Sequence, residues 1–194
     1  MEFPIYKMRI DENDEGVQYV SLVEHPATEI NYLAFSKSKM LFSENAEKRI
    51  LTGLLMAANT PILRQDKERG KYYVIFEPDV IEKMVMRFFK QNNIRNVNVE
   101  HKLDVEGVYM FESWITNQAR GINAPNEFAD TPDGSWFGSY KIENDDVWEN
   151  RDKFGGFSIE GYFGLEPVDD DNQEQAIENF LSALNEFLAT NQSI

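Results

Sequence analysis

Cysteine is absent from the 194-residue chain, histidine occurs only twice, as His25 and His101, and basic side chains are outnumbered by acidic ones, 19 to 34. Without cysteine there is no disulfide framework, no thiolate nucleophile and no Cys-based zinc or iron–sulfur site. A metal site would have to be all-oxygen or use one histidine. The formal charge of −15 repels phosphate backbones, and the basic residues do not cluster, so nucleic acid is not an expected partner. The acid excess suits solubility or attraction to a basic protein. No apolar run approaches the roughly 18 residues of a membrane span. The opening MEFPIYKMRIDENDEG lacks the basic-then-apolar order of a signal peptide. The expectation is a soluble intracellular protein without membrane contact.

What is present fits one domain able to bury about 70% of its unfolded surface. Residues 2–10 and 17–24 alternate apolar and polar side chains around DENDEG and read as a two-stranded start, with 30–37 a third strand. His25-Pro26 marks a bend between them. Apolar residues recur at helical spacing from about Ser43 to Asn59, which predicts an amphipathic helix ended by Thr60-Pro61. YYVIFE (72–77) reads as a strand, and Pro78 opens a helix that ends near Asn92-Asn93. NVNVEHKL (96–103) alternates strictly, placing His101 on one face with Val97 and Val99; a turn at DVEG then returns the chain as the strand VYMFESWIT (108–116). If Asp104 and Gly107 end that turn, Met110 lies opposite His101 and Glu112 opposite Val99, so Glu112 shares the His101 face. Residues 117–134 form a long loop, of the kind that covers a site or is disordered. SWFGSYKIE is a strand, NDDVWENRDKF a short capped helix and 155–166 a further strand. Residues 1–167 are expected to form the domain, and 168–194 an acidic linker and an amphipathic helix over about 173–190.

Three side chains stand out chemically. His101, between valines on an inward face, is either a hydrogen-bonded core residue or a catalyst. Glu112 is an acid in an apolar strand; burying a carboxylate is costly unless it is paired, and a histidine held in one tautomer is a natural partner. Ser158, in the glycine-flanked run GFSIEG, is a candidate nucleophile or part of a bulged structural strand. It is no G-x-S-x-G elbow, because no helix follows it directly. His25 reads as an exposed turn residue. Asp169–Asp171 lack the alternating spacing of a calcium loop and read as a solvated linker. Trp136, Phe137, Tyr140 and Trp148 read as core rather than a sugar platform.

Together, SLVEHPATEINYLAF, a strand ending in His (NVEHK), FESWI and GSWFGSYKIENDDVWENRDKFGGFSIEGYF resemble tailed-phage prohead maturation proteases, serine enzymes related to herpesvirus assemblins. The similarity runs from about residue 17 to 164. It implies an α+β fold, a small, mostly antiparallel β-barrel surrounded by helices, and a serine endopeptidase that processes scaffold and capsid proteins during procapsid maturation. His101 matches the catalytic histidine and Ser158 the catalytic serine. The third member varies in such enzymes between His and an acid; the face argument and the FESWI context select Glu112, with Glu160 second. His101 would take the Ser158 proton during attack on a peptide carbonyl and return it to the leaving amine. The resemblance further implies no cofactor, scaffold and major capsid proteins as substrates, a homodimer as one option, and a location in the procapsid interior within the host bacterial cytoplasm. The terminal helix would pack on the barrel, supply a dimer contact or dock on scaffold or capsid protein. The competing readings are a capsid-associated scaffolding or interaction protein that keeps the fold without the activity, and a different small hydrolase.

Overall fold

The computed structural model describes residues 3–11, 14–26 and 42–168. The strand expected at 30–37, the acidic run after Val168 and the terminal helix fall outside the described residues, and the proposed 167/168 boundary lies at their edge. In chain order the strands are β1 (Ile5–Arg9), β2 (Gly16–Val23), β3 (Phe42–Asn45), β4 (Ile50–Met56), β5 (Ile62–Asp66), β6 (Gly70–Ile75), β7 (Val97–Val99), β8 (Leu103–Asp104), β9 (Val108–Ile115), β10 (Trp136–Ile142), β11 (Gly156–Tyr162) and β12 (Gly164–Pro167). Helix α1 (Pro78–Lys90) lies between β6 and β7, and the short helix α2 (Asp145–Glu149) between β10 and β11. Among the described residues no helix is long and apolar enough to cross a membrane.

The strands form three four-stranded sheets, ordered β12-β1-β6-β5, β3-β4-β10-β9 and β11-β2-β7-β8. The sheet-rich α+β content matches expectation, but the described residues form no closed barrel. The three sheets instead meet over a common core that takes Met8 from β1, Val20 and Leu22 from β2, Leu51 and Leu55 from β4, Val74 from β6 and Tyr140 from β10. Helix α1 seals one side of it. Pro78 supplies the fixed φ of a first helical turn, and Ile81, Met84 and Phe88, at helical spacing, are all fully buried. Phe88 meets Trp136 edge-on, with ring centroids 5.4 Å apart.

Two expectations fail here for physical reasons. The N-terminal strands do not pair with each other. β1 sits between β12 and β6, and β2 between β11 and β7, so each is an interior strand with both backbone edges satisfied elsewhere. The helix expected at 43–59 is instead the hairpin of β3 and β4. β4 has apolar residues on both faces because each face is covered: Leu51 and Leu55 join the main core, while Leu54 joins a smaller cluster with Ala57, just past the strand, and with Phe128 and Phe137. A strand buried on both sides loses its two-residue alternation and mimics helical spacing. The long loop after β9 serves this smaller cluster, with Phe128 set edge-on against Phe137 at 5.4 Å. Trp136, Phe137 and Tyr140 are core, at most 1% exposed.

Candidate active site

The sheet β11-β2-β7-β8 turns one face to the core and carries a polar strip on the other. Val20 and Leu22 of β2, Val97 of β7 and Phe157 of β11 point inward. Strand alternation then sends Ser21, Asn98, Ser158 and Glu160 to the opposite side. Register aligns them: Ser158 is the antiparallel partner of Ser21, and Ser21 the parallel partner of Asn98. Ser21, Asn98 and Ser158 are only 0%, 5% and 7% exposed, so the polar atoms of this strip must find partners within the protein.

The hub is one carboxylate oxygen. Glu160 Oε1 accepts from Asn98 Nδ2 at 2.5 Å and from Ser21 Oγ at 2.6 Å, and lies 3.0 Å from His101 Nδ1. Ser21 Oγ is also 2.9 Å from His101 Nδ1 and 2.6 Å from Asn98 Oδ1. The hydroxyl has a single proton, and donation to the carboxylate is the stronger, charge-assisted choice. Burial pushes the Glu160 carboxyl pKa up, but the hydrogen bonds from Ser21, Asn98 and His101, with the attraction of a charged His101, outweigh it and hold the group below its ordinary value. A carboxylate stabilised in this way accepts Nδ1–H of His101, which fixes the tautomer and leaves Nε2 as the basic nitrogen.

A tight turn delivers His101 to this hub, and here the structure corrects the sequence reading. β7 ends at Val99; Glu100 and His101 follow with φ of 54° and 56°, and Lys102 N donates to Val99 O at 3.1 Å. Positive φ at both central positions is the signature of a type I′ hairpin turn, normally filled by Asn-Gly. Non-glycine residues there carry strain of roughly 1–2 kcal/mol each. Two contacts hold the turn: Glu100 N donates to Leu22 O at 3.0 Å, and Glu24 N donates to Glu100 Oε1 at 2.6 Å. His101 therefore leaves the Val97 face, with its side chain 42% exposed, and joins the polar side of the sheet.

The same turn removes the basis for placing Glu112 beside His101. The hairpin closes at Val99 rather than at DVEG, and β9 pairs with β10 in a different sheet. Glu112 is an exposed residue whose Oε2 accepts from Ser139 Oγ at 2.6 Å, and no ion pair within 4 Å links it to His101. Glu160, the second choice, is the carboxylate that lies against His101, 3.0 Å from Nδ1. Ser158 has no hydrogen bond to His101; it sits across the β2–β11 ladder from Ser21, and such antiparallel partners have Cα atoms about 4.5–5.5 Å apart. His25 lies apart, 69% exposed, with Nε2 3.9 Å from Glu24. Among the described residues no group of three or more acidic or histidine side chains is arranged to hold a metal.

Ser21 and Asn98 were missed by sequence reasoning. Each is a polar residue between two apolar ones, in VSL and VNV. That pattern marks a buried polar position, but only the parallel β2–β7 register makes the two neighbours.

No curated protein and no solved structure matches the chain. The family described as "Putative phage serine protease XkdF" matches residues 37–164, more than half of the chain, a span that contains His101, Ser158 and Glu160 but not Ser21. The chain belongs to that phage serine protease family.

Proposed function

We propose that the protein is a serine endopeptidase of phage procapsid maturation, cutting scaffold and capsid proteins inside the procapsid, with Ser158 as nucleophile, His101 as general base and Glu160 as its orienting acid. One observation carries the reading: His101 Nδ1 is 3.0 Å from a carboxylate oxygen that also accepts from Ser21 and Asn98, on the sheet face shared with Ser158. Nε2 would take the Ser158 proton as Oγ attacks the peptide carbonyl, then give it to the leaving amine; water would repeat the cycle on the acyl-enzyme. Glu160 would stabilise the imidazolium formed between these steps. Kinship with assemblin-type proteases, the procapsid location and the identity of the substrates rest on the sequence resemblance.

A second reading, a capsid-associated protein that keeps the fold without the activity, draws on the burial of Ser158 and its lack of a hydrogen bond to His101. In the peptidase, substrate binding would have to bring Oγ and Nε2 together, as catalytic hydrogen bonds often tighten only in the complex. Co-expression with the neighbouring capsid and scaffold genes separates the two. Cleaved bands are expected with the natural chain and none with Ser158→Ala or His101→Ala, both remaining soluble and folded. Cleavage that persists in either variant overturns the assignment.

A further inference from the structure

Helix α1 buries Ile81, Met84 and Phe88 and turns a second apolar pair outward. Met86 is 61% exposed and Phe89 44%, and their spacing of three residues sets them side by side as a short stripe on the solvent side. Lys83 and Lys90, both exposed, border it at helical spacing from Met86. Arg87 is spent on the turn before β2, where it donates to the carbonyl oxygens of Asp11 and Asp14. The acids of the exposed side, Asp79 and Glu82, lie toward the start of the helix. The C-terminal half of α1 is therefore an apolar and basic face in a chain of formal charge −15.

Residues 169–194, outside the described residues, have the complementary composition. They carry Asp169, Asp170, Asp171, Glu174, Glu178 and Glu186, and no Lys, Arg or His. In the amphipathic helix expected over about 173–190, Glu174 and Glu178 border the apolar stripe, each three residues before one of its members, Ile177 and Leu181. The two surfaces can meet within one chain. Val168 clusters with Ile5 and Ile75, and Ile75 ends β6 just before α1 begins at Pro78. From Pro78, Met86 lies about 12 Å along the helix axis at 1.5 Å per residue, and the extended linker 169–172 spans up to about 13 Å.

We infer that the exposed face of α1 is the docking site for the chain's own acidic amphipathic segment 173–190, with Met86 and Phe89 against the apolar stripe and Lys83 and Lys90 against Glu174 and Glu178. Burial of the apolar side chains drives the contact, and the opposite charges select its register. The inference does not depend on the peptidase reading.

Because the chain has no cysteine, one introduced pair reports this contact without background. In the full-length protein, Phe89→Cys is combined with Leu181→Cys or Leu184→Cys on the stripe, and with Asn179→Cys or Ser182→Cys on its opposite side. In dilute solution under mild oxidation, the stripe pairs should form an intramolecular disulfide, seen as a fast-migrating monomer, in several-fold higher yield than the others. Adding Lys83→Glu and Lys90→Glu should lower that yield by roughly threefold or more, and further adding Glu174→Lys and Glu178→Lys should restore it. Circular dichroism checks that each variant stays folded. Disulfide-linked dimers would give the face to a second copy and overturn the intramolecular contact. No disulfide, or equal yields at all four positions, overturns the docking.

Discussion

Two sheets of this protein each pair a glutamate with strand-borne hydroxyls, and only one of the pairs also includes an imidazole. On β9 and β10, Glu112 accepts from Ser139, whose hydroxyl also lies 2.9 Å from Thr52. On β2 and β11, Glu160 accepts from Ser21, but Asn98 adds a second donor and His101 a third. The first arrangement satisfies a surface acid. The second holds a carboxylate ionised and aims a titratable ring. The difference is not burial of the acid, since Glu160 is itself 33% exposed; it is the number of donors and the presence of an imidazole among them.

The sharpest way to break this comparison is to remove one charge at a time. Glu160→Gln should reduce cleavage by about 10²- to 10⁴-fold through loss of the tautomer lock and of imidazolium stabilisation. Glu112→Gln should stay within about twofold, with both rates measured on the same co-expressed substrate. The reverse result would return the orienting role to Glu112.

A smaller effect tests the donors. Ser21→Ala or Asn98→Ala removes a bond that lowers the Glu160 pKa, so the acidic limb of the pH–rate profile should move to higher pH and the plateau rate should drop about tenfold. A merely structural role would lower the plateau and leave the limb in place. The same shift has a stability counterpart. Because the folded carboxyl is depressed, its contribution is full above the unfolded glutamate value of about 4.3 and is lost as pH falls through the lower folded value. Acid unfolding followed by circular dichroism should therefore show less pH dependence in that window for Glu160→Gln than for wild type.

The smallest expected effect concerns the turn. His101→Ala and His101→Gly both delete the imidazole and should both be inactive, but glycine relieves the positive φ of 56°. His101→Gly should be more stable than His101→Ala by about 1 kcal/mol in denaturant melts. Equal stability would mean the turn carries no strain.

The sequence made some of this visible and hid the rest for definable reasons. Helix α1, β10 and the capped α2 followed from Pro78, from the apolar run WFGSYKI and from Asn144, whose Oδ1 accepts from Val147 N at 3.0 Å. Ser158 and Glu160 shared a face by simple alternation, and the structure keeps them there. His101 was singled out by scarcity, but its placement was misread because Glu-His offers no Asn or Gly to announce a turn. Glu112 followed that error, since its register depended on the wrong turn. Ser21 and Asn98 could not be paired from sequence at all, because a parallel ladder between β2 and β7 joins residues 77 apart with no local signal.

The Ser21–Glu160 hydrogen bond spans 139 positions of the chain, and β11 is among the last of the described strands to be synthesised. Before β11 docks on β2, the histidine turn has neither its carboxylate nor a serine across the ladder, and contacts of such long range form late in folding. On the peptidase reading, competence is then a timed property. On that reading a nascent or partly unfolded chain could not cleave, and cutting power arrives only when β11 docks on β2.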